Sequence, residues 1–427
     1  MRLPAVLMVC AVLAAGSAFP ATDQFLKSQA LRQDAADAAA KGDYAAAQAA
    51  LTEALRLRPG HPGILLALAS AEAHTGDGES AMTHLQQYAT MGLVARIADR
   101  PEFLSLTLKP RFIGAKVHIE MNAEPKGEPV KAFTLGPGAA LFEGLAVDGA
   151  QAFAGSVRER RVVRIEGGVA RDFIAPGSGG LFSVFGLAID KSRGLIWAAS
   201  TAGVLTPDLE PGALGAAGVF AFDLETGAPK ASALLAADVK AAIGDVAVAA
   251  DGTVYASDSA NAAIWRLKPG AKELERVFDD PRFVSPQGLA VSADQRFLLV
   301  ADYAMGLFAI DLQSARMRTV SAPSAVTLLG IDGLSRADDG TLIATQNGIA
   351  PERVIALTLD PDAVRIARVR VLAANSPLHD GITLAAAAGP FVYYIANAPW
   401  ARFDEEGKDT GTGAFADAIV AKVAIGP

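Results

Sequence analysis

Cysteine is nearly absent: the 427-residue chain has one, Cys10. It sits in an apolar N-terminal run, Ala5 to Ala15, followed by Gly16-Ser17-Ala18, which puts small residues where a signal peptidase inspects the chain. Residues 1–18 read as a signal peptide cleaved after Ala18. The chain that remains has no cysteine, which excludes a disulfide framework, a thiolate zinc site and a cysteine nucleophile. Long hydrophobic runs are missing too: the first stretch is too short to span a bilayer, and no later segment offers about 20 uninterrupted apolar residues. The expectation is an exported protein, periplasmic or secreted, with no membrane span. Positive charge is also in deficit, with 38 Lys+Arg against 46 Asp+Glu and a formal charge of -8. Neither nucleic acid nor an anionic membrane is an expected partner. There is no GxSxG elbow, HExxH pair, phosphate-binding P-loop or dinucleotide fingerprint, which disfavours serine-hydrolase, zincin and nucleotide-driven chemistry.

What the chain does have falls into two textures. From Gln24 to about Leu93, Ala, Leu and Gln recur at helical spacing, with breaks at Gly42-Asp43, Pro59-Gly60 and Gly76-Asp77. A shift of 34 residues superposes Gly42-Asp43 on Gly76-Asp77, Ala47 on Ala81 and Leu51 on Leu85. With Tyr44, Ala54 and Pro59, this pattern resembles the tetratricopeptide (TPR) repeat across residues 28–95. It departs at Tyr88, where a small residue is usual, and at Leu93, where proline is usual. Two repeats bury too little surface to stand alone, so Val94 to Phe112, carrying Phe103, Leu104, Leu106 and Phe112, is expected to cap them. The helical domain is placed at 22–120.

From about Pro129 onward the pattern changes to short apolar runs at period two, separated by Asp-Gly, Asn-Gly and Pro-Gly turns. A phrase recurs six times: EGLAVD at Glu143, FGLAID at Phe185, GDVAV at Gly244, QGLAVS at Gln287, DGLSRADDG at Asp332 and DGITL at Asp380. The spacings of 42 to 59 residues are the length of a four-stranded sheet with its turns. Residues 129–427 therefore read as an all-β six-bladed propeller, each phrase an inner strand. Only two strands follow the last inner one, so Val130 to Leu135 is expected to complete blade six and close the ring.

In an antiparallel meander the starts of the inner strands lie on one face. The residues preceding each phrase's glycine position therefore ring one mouth of the central channel, which brings Glu143, Gln287, Asp332 and Asp380 together. Carboxylates this close raise one another's pKa unless a cation sits among them, and a hard ion such as Ca²⁺ suits an all-oxygen donor set. The alternative is that the acids are solvated or hydrogen-bonded to backbone amides. His379, the one histidine of the propeller, stands beside Asp380, while Asn347 and Asn397 end second strands on the same face. These three are candidate ligand contacts, with structural roles as the alternative.

The inner-strand phrases EGLAVD, PQGLAVS and IDGL resemble the SMP-30/gluconolactonase/luciferin-regenerating group, over about residues 129–427, and NHL-type propellers share much of the pattern. The resemblance implies a divalent-metal site at Glu143, Gln287 and Asp332, with Gln where the group has Asn and EGL where EGP is usual. It also implies opening of a lactone or similar ester, with Asp332 or Asp380 as the base. The competing expectation is a non-catalytic periplasmic TPR–propeller protein that binds a peptide or protein at the TPR groove, or a small ligand. The longest inter-phrase spacing falls in residues 200–218, read as a lid over the mouth with Leu205, Leu209 and Leu214 as its apolar wall.

Overall fold

Aspartate and glycine punctuate the N-terminal part at the 34-residue period, and each has a physical task. The structure, a computed structural model, describes residues 23–149 and 151–426, so the expected signal segment and Cys10 lie outside the described residues. Four antiparallel helices come first: α1 (Asp23–Ala40), α2 (Tyr44–Leu57), α3 (Pro62–Thr75) and α4 (Gly78–Thr90). Asp43 and Asp77 cap α2 and α4, each carboxylate accepting an amide three residues on, from Ala46 at 3.0 Å and Ser80 at 3.2 Å. Gly76 closes α3 at φ 86°, a left-handed conformation that glycine adopts without strain. The faces thus presented bury Ala47, Leu51 and Ala54 on α2, and Ala81 and Leu85 on α4.

Tyr88 departs from the repeat for a visible reason: its ring is buried and its hydroxyl donates to the Val94 carbonyl at 2.7 Å, fixing the exit from α4. A 3₁₀ turn (Pro101–Leu106) and α5 (Pro110–Asn122) then cap the array. Phe103, Leu106 and Phe112 join Leu85 and Tyr88 in one apolar cluster. Leu104, expected among them, points outward and is 62% exposed, because the 3₁₀ turn brings only Phe103 and Leu106 onto its buried side. No helix among the described residues is long and apolar enough to cross a membrane.

Six four-stranded meanders follow. Blades one to five run in simple sequence order, with inner strands Phe142–Asp148, Ser183–Asp190, Ile243–Val248, Pro286–Val291 and Ile331–Arg336. Blade six is made from both ends of the β region: Ala385–Ala388, Phe391–Ile395 and Asp417–Ala424, with Val130–Pro137 as its outermost strand. That closing strand pairs antiparallel with Asp417–Ala424, from Val130 opposite Lys422 to Pro137 opposite Asp417, as the sequence predicts.

The recurring glycine has a packing cause. A Cβ at Gly144 would strike the Phe185 carbonyl oxygen of the next blade, and one at Gly288 would lie 2.5 Å from the Leu334 amide nitrogen. Neighbouring inner strands therefore approach too closely for any other residue at these two positions. In each of blades one to five, the pairing of inner and second strand slips at this place, between Phe142 and Gly144, Val184 and Leu187, Ile243 and Val246, Pro286 and Leu289, and Ile331 and Gly333. Such a bulge locally redirects the strand and re-aims its side chain.

The helical unit is fastened to the propeller at blade five. The Val94 amide donates to the Ala350 carbonyl at 2.9 Å, the buried Arg353 guanidinium donates to the Met91 carbonyl at 3.0 Å, and Asn375 donates to the Asn122 carbonyl at 2.8 Å. Arg353 also holds the Gln346 carboxamide at 2.7 Å.

The closure can be tested directly. Deleting residues 130–136 leaves the Asp417–Ala424 strand without its outer partner. The thermal midpoint is expected to fall by about 10 °C or more, with aggregation through the opened edge; an unchanged midpoint would contradict the closure.

Candidate functional site at the channel mouth

The bulges aim Glu143, Gln287 and Asp332 into one end of the central channel, where all three are buried. Asp245 joins them: blade three carries it in place of the recurring glycine, and its carboxylate fills the space that a side chain on Gly186 would need. The four polar groups border a cavity of about 30 Å³, whose apolar side is made by Phe185, Leu384 and Trp400. A space of this size takes one or two waters, or one ion with a water.

Each acid is held from one side. The Trp400 indole N–H donates to Glu143 Oε2 at 2.6 Å, and the indole stacks on Phe185 with ring centroids 6.4 Å apart. The Asn347 amide donates to Asp332 Oδ2 at 2.7 Å and to the Ile382 carbonyl at 2.9 Å, while the Tyr303 hydroxyl donates to Asn347 Oδ1 at 3.1 Å. The Leu289 amide donates to Asp245 Oδ2 at 2.8 Å. Gln287 turns its Nε2 to the Ser285 hydroxyl at 3.0 Å, and its Oε1 lies toward Gly244 on the cavity wall.

Burial governs the protonation of this cluster. It lifts Glu143 well above the usual carboxylate range, with Asp332 and Asp245 pushing it further against the lowering bond from Trp400. Burial also lifts Asp245 to about 7, opposed by backbone donors and reinforced by Asp332. Asp332 is raised by the same cause, against the Asn347 bond, and Glu352 adds repulsion. Glu143 thus keeps its proton most readily, Asp245 is poised near neutral pH at about 7, and Asp332, at about 6, gives up its proton first.

Other expected members go elsewhere. Asp380 is exposed and does not border the cavity. Blade six's inner strand begins only at Ala385, and Gly381 at φ 86° bends the preceding segment away, so Asp380 never reaches the mouth. Glu352 occupies that flank, accepting from the amides of Gly381 at 3.2 Å and Ile382 at 3.0 Å. His379 bonds the Tyr394 hydroxyl at 2.8 Å, lies edge-on to its ring, and is pushed by burial down to about 4, which makes it a neutral packing residue. Asn397 clips the last strand, donating to the Asp417 carbonyl and accepting from the Ile419 amide, each at 2.8 Å. The 200–218 loop is a fastened rim rather than a free lid: Leu205 packs against the cluster containing Trp400 and Phe403, and the Thr206 hydroxyl bonds Ser183 at 2.6 Å. Leu209 and Leu214 do not border the cavity.

Among the described residues, no group of three or more His, Cys, Asp or Glu side chains is arranged to hold a metal ion. Glu143 and Asp332, which repel each other across the mouth, and the Gln287 carboxamide are the side-chain oxygens there that could face a hard cation. Sequence reasoning passed over Asp245, although GDVAV displays an acid in the glycine's place. It had no signal for Trp400, which is 257 positions from the carboxylate it holds.

Residues 38–90 match the tetratricopeptide repeat family. No curated protein matches the chain. Among solved structures, similar folds include the gluconolactonase XC5397 of Xanthomonas campestris, at 16% identity and TM-score 0.47, covering 68% of this chain and 88% of that one. A luciferin-regenerating enzyme is similar at 13% identity and TM-score 0.47, covering 70% and 95%. The PQQ-bound aldose sugar dehydrogenase of Streptomyces coelicolor is similar at 16% identity and TM-score 0.45, covering 70% and 99%. These likenesses are of fold, and the chemistry of the mouth rests on its own side chains.

The raised Asp245 pKa carries a signed consequence for stability. The folded state binds this proton more tightly than the unfolded state, so the contribution is full below about pH 4 and is lost as pH rises through 7. His61 and His379, with lowered values, work in the opposite direction at acidic pH. The informative quantity is thus the difference between the parent and Asp245→Asn, measured with chelator present. The variant is expected to gain several degrees in midpoint relative to the parent between pH 5 and pH 8; a constant difference would contradict the assignment.

Proposed function

We propose that the channel mouth is a divalent-cation site, with Ca²⁺ the best match to its oxygen donors, and that the protein uses it to open a lactone or related ester. The observation that carries this reading is the convergence of Glu143, Asp245 and Asp332, all buried, on a cavity that takes a water-sized occupant. Three acids confined in low dielectric are unfavourable unless protonated or met by a cation. Glu143, Asp332 and the Gln287 carboxamide would hold the ion, which when bound polarises the substrate carbonyl and offsets developing negative charge. The substrate class comes from the resemblance of the inner-strand phrases, not from the cavity.

The chain's own residues supply the remainder. Trp400 and Asn347 fix the orientations of Glu143 and Asp332, each by a bond to one carboxylate oxygen. Asp245, raised to about 7, is matched to accept a proton from an attacking water near neutral pH. Phe185, Leu384 and Trp400 keep bulk water from the acids. Export, expected from the N-terminal run, would put the site where affinities of about 10⁻⁴–10⁻³ M suffice for calcium, as in extracellular modules.

A non-catalytic role is favoured by one specific observation. The cavity is well below the ~300–1,000 Å³ of pockets that enclose small molecules, and every acid there already accepts a hydrogen bond. Under that reading the propeller is a platform and the TPR unit carries a peptide or protein partner.

Asp332→Asn separates the two, since it removes the charge while leaving an oxygen for Asn347. On the cation reading, calorimetric Ca²⁺ affinity falls at least tenfold, hydrolysis across a lactone panel is lost with it, and the chelated variant melts above the chelated parent at pH 8. Absence of Ca²⁺ binding by the parent, with no lactone opened in the presence of metal, would leave the binding platform as the function.

A further inference from the structure

A second cavity, of about 620 Å³, lies between the helical unit and the propeller, well within the size range of pockets that enclose small molecules. The helical side is built from the start of α1, the turn between α2 and α3, and the end of α4. The propeller side is built from residues 305–307 of blade four and the segment 320–329 that leads to blade five. It is separate from the channel mouth and shares no lining residue with it.

Its charge is one-sided. Arg58, at the α2–α3 turn, crosses the gap to donate to the Ala304 carbonyl, and its guanidinium lies 5.4 Å from the Phe25 ring centroid. Arg32 stands close enough to repel it, and among the described residues neither arginine forms an ion pair with a carboxylate. The acid that Arg58 does feel, Asp302, is already engaged by the backbone amides of Val284, Ser285, Ala304 and Met305. Burial and the neighbouring Arg32 bring Arg58 down to about 10, the mark of a cation that has lost water without gaining a counter-charge. His61, between the two arginines electrostatically, is driven by burial and by both of them down to about 3, and so adds no charge. Apolar side chains line both sides, Met91 on the helical side and Met305, Leu307 and Val326 on the propeller side.

We propose that this inter-unit cavity binds an organic carboxylate with an apolar body, its carboxylate paired with Arg58 and its hydrocarbon laid along Met91, Met305 and Val326. The planar guanidinium offers a forked pair of donors that a carboxylate accepts in bidentate fashion. The thioethers supply a conformable, polarisable wall for a chain or ring of varied shape. Because the two sides of the cavity belong to different units, such a ligand bridges the TPR array and the propeller and stabilises their docking.

The probe is octanoate, titrated calorimetrically into the full-length chain, with octanamide as its neutral counterpart and inorganic phosphate as charge without an apolar body. Saturable one-to-one binding of octanoate is expected, with octanamide and phosphate each at least tenfold weaker. Arg58→Gln should weaken octanoate at least tenfold while Ca²⁺ binding is unchanged. Should Arg58→Gln fail to fold, Ser324→Trp, at the exposed rim, blocks the cavity by bulk while leaving both arginines, and should weaken octanoate to the same extent. No binding of octanoate, equal binding of octanamide or phosphate, or undiminished affinity in the folded variants would overturn the proposal.

Discussion

The inner strands of the propeller pass one another with no room for a Cβ at Gly144 or Gly288, and the site depends on that close approach. A wider ring would leave the bulged side chains in bulk water, where carboxylates stay ionised and need no partner. Here the bulges at five inner strands turn side chains into a narrow, apolar-walled space, so that Glu143, Asp245 and Asp332 are forced into mutual repulsion. Glycine in the recurring phrase is thus a packing requirement whose by-product is electrostatic. Where blade three substitutes Asp245 for that glycine, it adds a further acid to the crowd. Trp400, Asn347 and backbone amides hold these acids in place without neutralising them.

The ring stays closed because its first strand completes its last blade, and the helical unit is anchored on blades four and five by contacts that no isolated repeat would make. Arg353 is the clearest of these: its buried guanidinium links Gln346 of blade five to the chain leaving α4. A buried cation bound only to a carboxamide and a carbonyl has given up its hydration, which burial registers by bringing its pKa down to about 10, so these hydrogen bonds offset a desolvation cost while fixing how the units dock. The same docking encloses the cavity at Arg58. Two units that each resemble a common module thereby create, between them, a space that neither has alone.

Much of this was legible in the sequence because it rests on period. The 34-residue spacing of Gly-Asp marked the breaks between helices, at which Asp43 and Asp77 turn out to be caps, and the six phrases marked six blades, their order and the closing strand. Glu143, Gln287 and Asp332 converge because they occupy the same position in a repeat. The failures lie where the period breaks. Asp380 sits at the equivalent position in sequence, but blade six starts its inner strand late, and Gly381 at positive φ turns the acid outward. Asn397 and His379 looked chemical because they are polar at strand ends, yet each is consumed by a local bond that no spacing rule reveals. Trp400 and Arg58 act on groups hundreds of residues away, and only tertiary structure brings them there.

The central claim is that the channel-mouth acids retain protons that a cation displaces. Calorimetry of Ca²⁺ binding at pH 6.5, repeated in buffers of different ionisation enthalpy, reads that exchange without reference to any substrate. The account predicts an apparent binding enthalpy that varies linearly with buffer enthalpy, with a slope corresponding to release of about one proton per ion, shrinking toward zero as the pH is raised through 8. Binding with no buffer dependence at pH 6.5, or no heat of binding at all, would contradict it.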